Sequence, residues 1–495
     1  MDLGKAILSA LEQANEQGDV QCIWVALSAG IDSTVLLHAL VDELFDKRSA
    51  LPAEKITTIK AIHVHHGLSN NADDWVKQAQ SLCCQLSADY EGAVSVECIV
   101  ERVQLEAGSS DGIEQAAREA RYQVFEQYCQ AGDVLLQGHH LDDQIETFFM
   151  RAIRGSGLTG LSGIPQQRNL SRSNTCQILR PFLAVEKQQL IDYAKAHSLS
   201  WVEDESNLDS EIDRNWWRNE LLPQIWQRYP DKKQSLSRTI DTIKHEKDLL
   251  QALLLKEINT TPEFVQADPK IHSALANVPR FDLTLINELD SAVALSYLRA
   301  WLAQFVDVLP SRVQMKSIYS DVIEARMDAE PSFTWGDKAL YRYQGYLFLW
   351  HSAYALKGQI RYEGVAVIEQ NQQSFILPNY KRVNALGELT YKASGQVCGL
   401  KPGDYSIRLW QPGDTAKPVG RSTRKMKKWW QDYGVASWAR HCWPIIIDET
   451  TNEVVAVPGL FVCQGYFAEQ DGWLLGWRFK GGAVNKIDTF LGCKN

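Results

Sequence analysis

Ser28-Ala29-Gly30-Ile31-Asp32-Ser33 is a run of small and hydroxyl-bearing residues with one acid in it. An apolar stretch at 22–27 reads as a buried strand before it, and residues 34–40 have helical spacing after it. Strand, small-residue loop and helix together form a phosphate-binding turn. The backbone approaches the anion closely, and free N–H groups at the helix start point toward it. The hydroxyls of Ser28, Ser33 and Thr34 offer further donors. The Asp32 carboxylate repels phosphate, so it either caps the helix or holds Mg²⁺ against the phosphates. A plain strand-to-helix turn capped by Asp32 explains the same residues. The Ala29 methyl fits if φ there is negative; at a positive φ alanine is strained.

Gly138-His139-His140-Leu141-Asp142-Asp143-Gln144-Ile145-Glu146-Thr147 is a second candidate site. A helix starting near Leu141 sets Asp143 and Glu146 one turn apart on one face. Two carboxylates so placed grip an ammonium group or Mg²⁺. The same cluster is open to two other readings. His139, His140, Asp142 and Asp143 are zinc-type ligands if His63 or His65 joins them. Acids at a helix start also complement its dipole. Residues 155–160 match G-x-G-x-x-G but follow a helix-like run, not a strand, so they read as a flexible turn and not a dinucleotide site. Near the C-terminus, Arg421, Arg424, Lys425, Lys427 and Lys428 form a basic run ending in Trp429-Trp430. It suits either phosphate contacts with stacking tryptophans, or a solvated helix face anchored by them.

These residues need elements to position them. Strand signals at 57–64, 94–100 and 133–138 alternate with helical ones at 73–86 and 113–128. That order predicts an α/β fold: a Rossmann-like parallel sheet with helices on both faces. Ligands in such sheets bind beyond the carboxyl ends of strands. A mainly helical middle domain and a small α+β C-terminal domain are expected to follow, with boundaries near 1–215, 216–370 and 395–485. A hairpin is expected at 340–350 around Gly345, a linker within 370–400, and a basic helix over 421–433. No apolar run approaches the roughly 18 residues that span a membrane. The start of the chain lacks a secretory pattern. Ten cysteines without C-x-x-C spacing argue for reduced thiols in the cytoplasm and against zinc or an iron–sulfur cluster. A net charge of −10 means that a nucleic-acid partner needs a local basic patch.

The loop at 28–33 resembles the pyrophosphate loop of ATP pyrophosphatases, with Ala29 where that family usually has glycine. Further blocks narrow the resemblance: Ile62-His63-Val64-His65-His66-Gly67-Leu68, residues 112–118 with Arg121-Tyr122, and residues 138–147. Others are residues 154–163, Arg180-Pro181-Phe182-Leu183, residues 201–207, and Arg214-Asn215-Trp216-Trp217-Arg218. Their order and spacing through about residue 230, with a second match over 407–477, resemble tRNA(Ile)-lysidine synthetases. That resemblance implies an enzyme that adenylates the wobble cytidine of CAU-anticodon isoleucine tRNA with ATP, then lets free L-lysine displace AMP. By it, Ser28, Ala29, Gly30, Ile31, Asp32 and Ser33 bind ATP, with Mg²⁺, and Asp143 and Glu146 hold the lysine. Arg118 lies near the phosphates and substrate. Glu146, Asp143 or His139 takes the amine proton. Arg214 and Arg218 join the C-terminal run in contacting tRNA, and residues 155–160 become a turn that the tRNA approaches. The rival readings are a sulfur-transferring, tRNA-thiolating ATP pyrophosphatase, a nonenzymatic RNA-binding protein on a degenerate nucleotide fold, and a metal-dependent hydrolase. The oligomeric state stays open, a homodimer included.

Overall fold

The computed structural model describes residues 2–18, 20–46, 58–69, 71–90, 94–104, 113–171, 174–208, 213–260, 275, 278–306, 308–326, 329–351, 365–368, 387–393, 398–401, 403–470 and 472–479. They fall into two compact units, Met1–Leu250 and Gln251–Asn495.

In the first unit α1 (Leu3–Gln17), β1 (Ile23–Ala26), α2 (Ile31–Asp46), β2 (Thr58–His65), α3 (Ala72–Asp89) and β3 (Ser95–Arg102) come first. Then follow α4 (Ile113–Tyr128), β4 (Val134–Leu136), α5 (Leu141–Ile153), the single turn α6 (Leu158–Leu161), β5 (Gln167–Asn169), β6 (Gln177–Leu179) and α7 (Lys187–Ala196). The sheet order is β3-β2-β1-β4-β6-β5. Every neighbouring pair is parallel except β5 with β6, an antiparallel edge. The inner strands β1 and β4 are almost wholly apolar because both faces are covered. On one face Ile7, Leu36, Leu40, Leu82 and Leu190 pack down from α1, α2, α3 and α7. On the other, Val124 and Phe125 of α4 meet Trp24, Ile62 and Leu135.

This is the α/β sheet that the strand and helix alternation predicts. The order reverses between β1 and β4, so the loops leaving their carboxyl ends diverge around a crevice. The phosphate-loop candidate leaves β1, and the Gly138–Thr147 cluster leaves β4. The loops are close-packed at Gly138, where a Cβ would lie 2.9 Å from the Asp32 carbonyl oxygen. No side chain fits there.

Beyond α7 the chain runs through α8 (Asp213–Trp216), a π-helical turn (Trp217–Leu221), Leu222–Arg228 and the long helix Lys233–Thr260. Trp217 stacks on Phe149 of α5, with ring centroids 5.5 Å apart and planes at 12°. That contact turns the face carrying Arg214 and Arg218 toward α5.

The second unit holds small antiparallel sheets with short helices. Strands Arg280–Asp282, Ser332–Trp335, Lys338–Tyr343 and Tyr346–His351 make one sheet, packed on helix Ser291–Leu302. The expected hairpin is there. Its two-residue turn has φ 51° at Gln344 and 83° at Gly345, the double positive φ of a tight hairpin turn. The linker expected within 370–400 is corrected at Gly387–Ala393, a strand paired along its length with Trp473–Phe479. Residues 369–386 and 394–397 lie outside the described residues. The expected basic helix is shorter than 421–433: it runs Met426–Asp432. Arg424–Lys425 instead form a short strand against Thr415–Ala416, which turns the chain before the helix can begin.

Candidate active site

The loop after β1 is knitted by its own hydroxyls. Ser33 Oγ accepts from the Ser28 N–H at 3.1 Å and donates to the Gly30 carbonyl at 3.0 Å. Ser28 Oγ accepts from the Gly30 N–H at 3.3 Å. The helix starts at Ile31, earlier than the apolar spacing predicts, with Thr34 N–H bonded to Gly30 O at 3.0 Å. Asp32 and Ser33 therefore sit in its first turn. Ala29 takes the strained alternative: its φ is +65°, and its methyl is buried in the core under the loop. An L-residue in that region costs about 1 kcal/mol. The Ala29 carbonyl is fixed by the Val202 N–H at 3.0 Å. The Asp32 carboxylate meets Lys187 Nζ at 2.6 Å and lies 3.7 Å from His140 Nε2.

α5 starts at Leu141, as its sequence predicts, and brings Asp143 and Glu146 to one face, 6% and 1% exposed. Asp143 Oδ2 caps the helix by accepting from the His140 N–H at 3.0 Å. Both carboxylates are then filled by guanidinium groups. Arg214 donates to Asp143 at 2.8 Å and to Glu146 at 3.1 Å. Arg218 donates to Asp143 at 3.0 Å, and to the two Glu146 oxygens at 2.7 and 2.9 Å. Sequence assigned the acids and the arginines to different ligands; the fold joins them in one network. Burial alone would raise the Asp143 carboxyl. The neighbouring His140 and His139 imidazoles and the Arg214 and Arg218 guanidinium groups outweigh it and hold the group well below the usual carboxylate range.

His139 borders this network. Burial lowers its imidazole to about 4, with Arg180, Arg214 and Arg118 adding to the effect against Asp143. It is therefore neutral at pH 7, and its Nδ1 has no hydrogen-bond partner among the described residues. Arg118 lies over the Tyr122 ring at 5.1 Å, and Arg168 lies over the same ring at 5.0 Å. Burial would raise the Tyr122 phenol, but Arg168, Arg118 and Arg180 bring it down to about 8. That cluster makes this side of the site strongly positive. The zinc reading finds no support in the geometry: His63 Nδ1 is bonded to the Leu27 carbonyl at 2.9 Å, and no group of three or more metal-type ligands converges among the described residues. The G-x-G-x-x-G run follows α5, and Arg151 pins it by donating to the carbonyls of Gly160 and Gly163 at 3.0 and 2.8 Å.

Sequence reading missed Lys187 and Lys233. Lys187 is the first residue of α7, and its N–H bonds to Asp142 at 2.9 Å. Lys233 Nζ meets the other Asp142 oxygen at 2.7 Å. The signal for Lys187 was a helix start written as Glu186-x-x-Gln189, a capping pair, directly after the Arg180-Pro181-Phe182-Leu183 block.

In the second unit Arg421, Arg424, Lys425, Lys427 and Lys428 are exposed, whereas Trp429 and Trp430 are buried at 3% and 0%. The tryptophans anchor the helix and are not available for stacking on bases. Arg424 pairs with Asp432 at 3.1 Å.

Crevice, loop and neighbouring carboxylates define a pyrophosphate-loop ATP-binding domain. Residues 5–225 match the PP-loop domain family. Residues 281–348 match the TilS substrate binding domain and residues 405–477 the TilS substrate C-terminal domain. A tRNA(Ile)-lysidine synthase of Haemophilus influenzae is 34% identical over 92% of this chain and 98% of its own. Those of Photobacterium profundum and Serratia proteamaculans are each 33% identical, over 90% and 94% of this chain and 93% and 98% of theirs. The chain belongs to the tRNA(Ile)-lysidine synthase family. Among solved structures, the U34-tRNA thiolase NcsA from Methanococcus maripaludis covers 49% of this chain and 79% of its own, with TM-score 0.37 and 16% identity. That likeness is too distant to bear on the chemistry.

Proposed function

We propose that the protein joins free L-lysine to carbon 2 of the wobble cytidine in CAU-anticodon isoleucine tRNA, consuming ATP and releasing AMP and pyrophosphate. The observation that carries this reading is the placement of a phosphate loop and a buried carboxylate pair beyond the carboxyl ends of the adjoining strands β1 and β4. The loop takes the triphosphate. Asp32, one-third exposed, is a hard oxygen donor that fits Mg²⁺, and the phosphates and water would complete the shell. Cytidine O2 attacks the α-phosphorus, the bond to the bridging oxygen breaks, and pyrophosphate leaves. Arg118 offsets the charge on the phosphates. The lysine Nε then attacks carbon 2, and AMP departs with the oxygen.

Lysine arrives as an ammonium with an ordinary pKa of about 10.4, so it must lose a proton. In this reading Asp143 and Glu146 hold it, one ammonium proton passes to water before the attack, and neutral His139 accepts the second as the new bond forms. Two carboxylates with two guanidiniums are already charge-balanced. A third cation would leave a buried surplus, so lysine displaces a guanidinium. Arg214 and Arg218 are each about one-third exposed, and the one displaced then turns to tRNA phosphate. That exchange reconciles the roles expected of the acids and of the arginines. In this reading residues 1–215 carry the chemistry, 395–485 grip tRNA through the exposed basic run, and 216–370 lie between them in the chain. Among the described residues no helix is long and apolar enough to cross a membrane. A tRNA substrate and free lysine suit the cytoplasm. The test is AMP release in the presence of ATP and Mg²⁺. It is expected only when lysine and the CAU transcript are both present; release independent of lysine would overturn the reading.

A further inference from the structure

Residues 28–33 contain no cation, although a bound triphosphate carries several negative charges and Asp32 adds another. The fold brings one from far along the chain. Lys187 Nζ lies 2.6 Å from Asp32 Oδ1, across 155 residues of sequence. Its backbone is held firmly in place. The Leu141 N–H bonds to the Val185 carbonyl at 2.8 Å, and the Lys187 N–H bonds to Asp142 at 2.9 Å. Leu190 and Ala194, further along α7, are fully buried in the core that α2 also packs into. Only the side chain is free to pivot, and it is about one-third exposed at the mouth of the loop.

We infer that Lys187 is a catalytic residue that binds a phosphoryl oxygen of ATP and stays with the pyrophosphate as it leaves. The inference rests on the adenylation reading above. As cytidine O2 bonds to the α-phosphorus, the electron pair of the breaking bond passes to the bridging oxygen of pyrophosphate. The Lys187 ammonium neutralises charge where it grows. On leaving Asp32 Oδ1 for phosphate, it also frees that oxygen for a metal. A merely structural role is the alternative, but an ion pair this exposed contributes little to stability. The two roles therefore separate in measurement.

The test compares wild type, Lys187→Met and Lys187→Arg. In Lys187→Met the KM for ATP and the inhibition constant for pyrophosphate are each expected to rise about tenfold or more, as for a lost charge-assisted contact. The KM for lysine should stay within about twofold and the Tm nearly unchanged. Lys187→Arg should recover most of the loss, because the charge and reach are kept. Calorimetric binding of inorganic pyrophosphate to wild type and Lys187→Met gives a readout independent of turnover. If wild type uses no ATP with lysine and the CAU transcript, the functional reading fails. If wild type turns over but the ATP and pyrophosphate constants of Lys187→Met are unchanged, the assignment of Lys187 fails.

Discussion

Two sets of basic side chains in this protein use their charge in opposite ways. In the first unit Arg214 and Arg218 rest on Asp143 and Glu146, which are nearly inaccessible. In the second, Lys425, Lys427 and Lys428 are exposed on or beside a short helix and have no ion pair among the described residues. Sequence alone groups all of these residues as tRNA contacts. The structure separates them by partner. The first set is neutralised, and its charge becomes available only by exchange. The second is permanently available to a phosphate backbone. Removing a buried acid strands its arginines, so the first set should respond sharply and locally. Changes in the second should alter affinity in modest, salt-dependent steps.

The largest effect is expected at the phosphate loop. Asp32→Ala should reduce pyrophosphate release by at least about a hundredfold with the fold intact, because a transition-state charge contact of this kind is worth that much. Near-normal ATP consumption in a folded variant would remove Asp32 from the chemistry. Next, Glu146→Gln should raise the KM for lysine at least about tenfold and leave the KM for ATP much less affected, since a buried, charge-assisted partner is lost. Equal changes in both constants would favour a metal role for Glu146.

Acid should weaken the first unit through His139. The unfolded imidazole binds a proton near 6.5, whereas the buried one resists until about 4. Between those values the unfolded chain holds more protons. Stability therefore falls as pH drops from 6.5 to 4 and gains no further slope from this group below 4, by about 3 kcal/mol in all. His139→Gln should flatten that window in urea melts; an unchanged slope would place the histidine in contact with water.

The second region is tested by Lys425→Glu with Lys428→Glu. The Kd for tRNA should rise severalfold, the slope of log Kd against log salt should flatten by about two phosphate contacts, and the lysine KM should not move. An unchanged Kd and salt slope would make this run a solvated surface. The smallest effect belongs to Ala29→Gly. It relieves a positive φ but gives up a buried methyl, so the change in stability should stay within about 1 kcal/mol. A strongly harmful effect would mean that the methyl packing outweighs the strain.

The parts of the site that sequence made legible are local. Strand alternation gives the sheet, and the start of α5 at Leu141 puts Asp143 and Glu146 on one face because helical spacing alone dictates it. What sequence hid is long-range or conformational. Arg214 and Arg218 reach acids some 70 residues away only because Trp217 stacks on Phe149. Lys187 reaches Asp32 only through the placement of α7 beside the loop. The positive φ of Ala29 is invisible because its residue type argues against it. The burial of Trp429 and Trp430, which decides between packing and stacking, depends on a core assembled from distant strands.

The most direct test of the proposed ligation is transfer of radiolabelled lysine to a CAU-anticodon isoleucine tRNA transcript, with ATP and Mg²⁺ present. Label should appear in the transcript, depend on ATP, and vanish when the wobble cytidine is replaced by uridine. Label that forms equally on the uridine transcript, or no label while ATP is consumed, would contradict lysine ligation at that base.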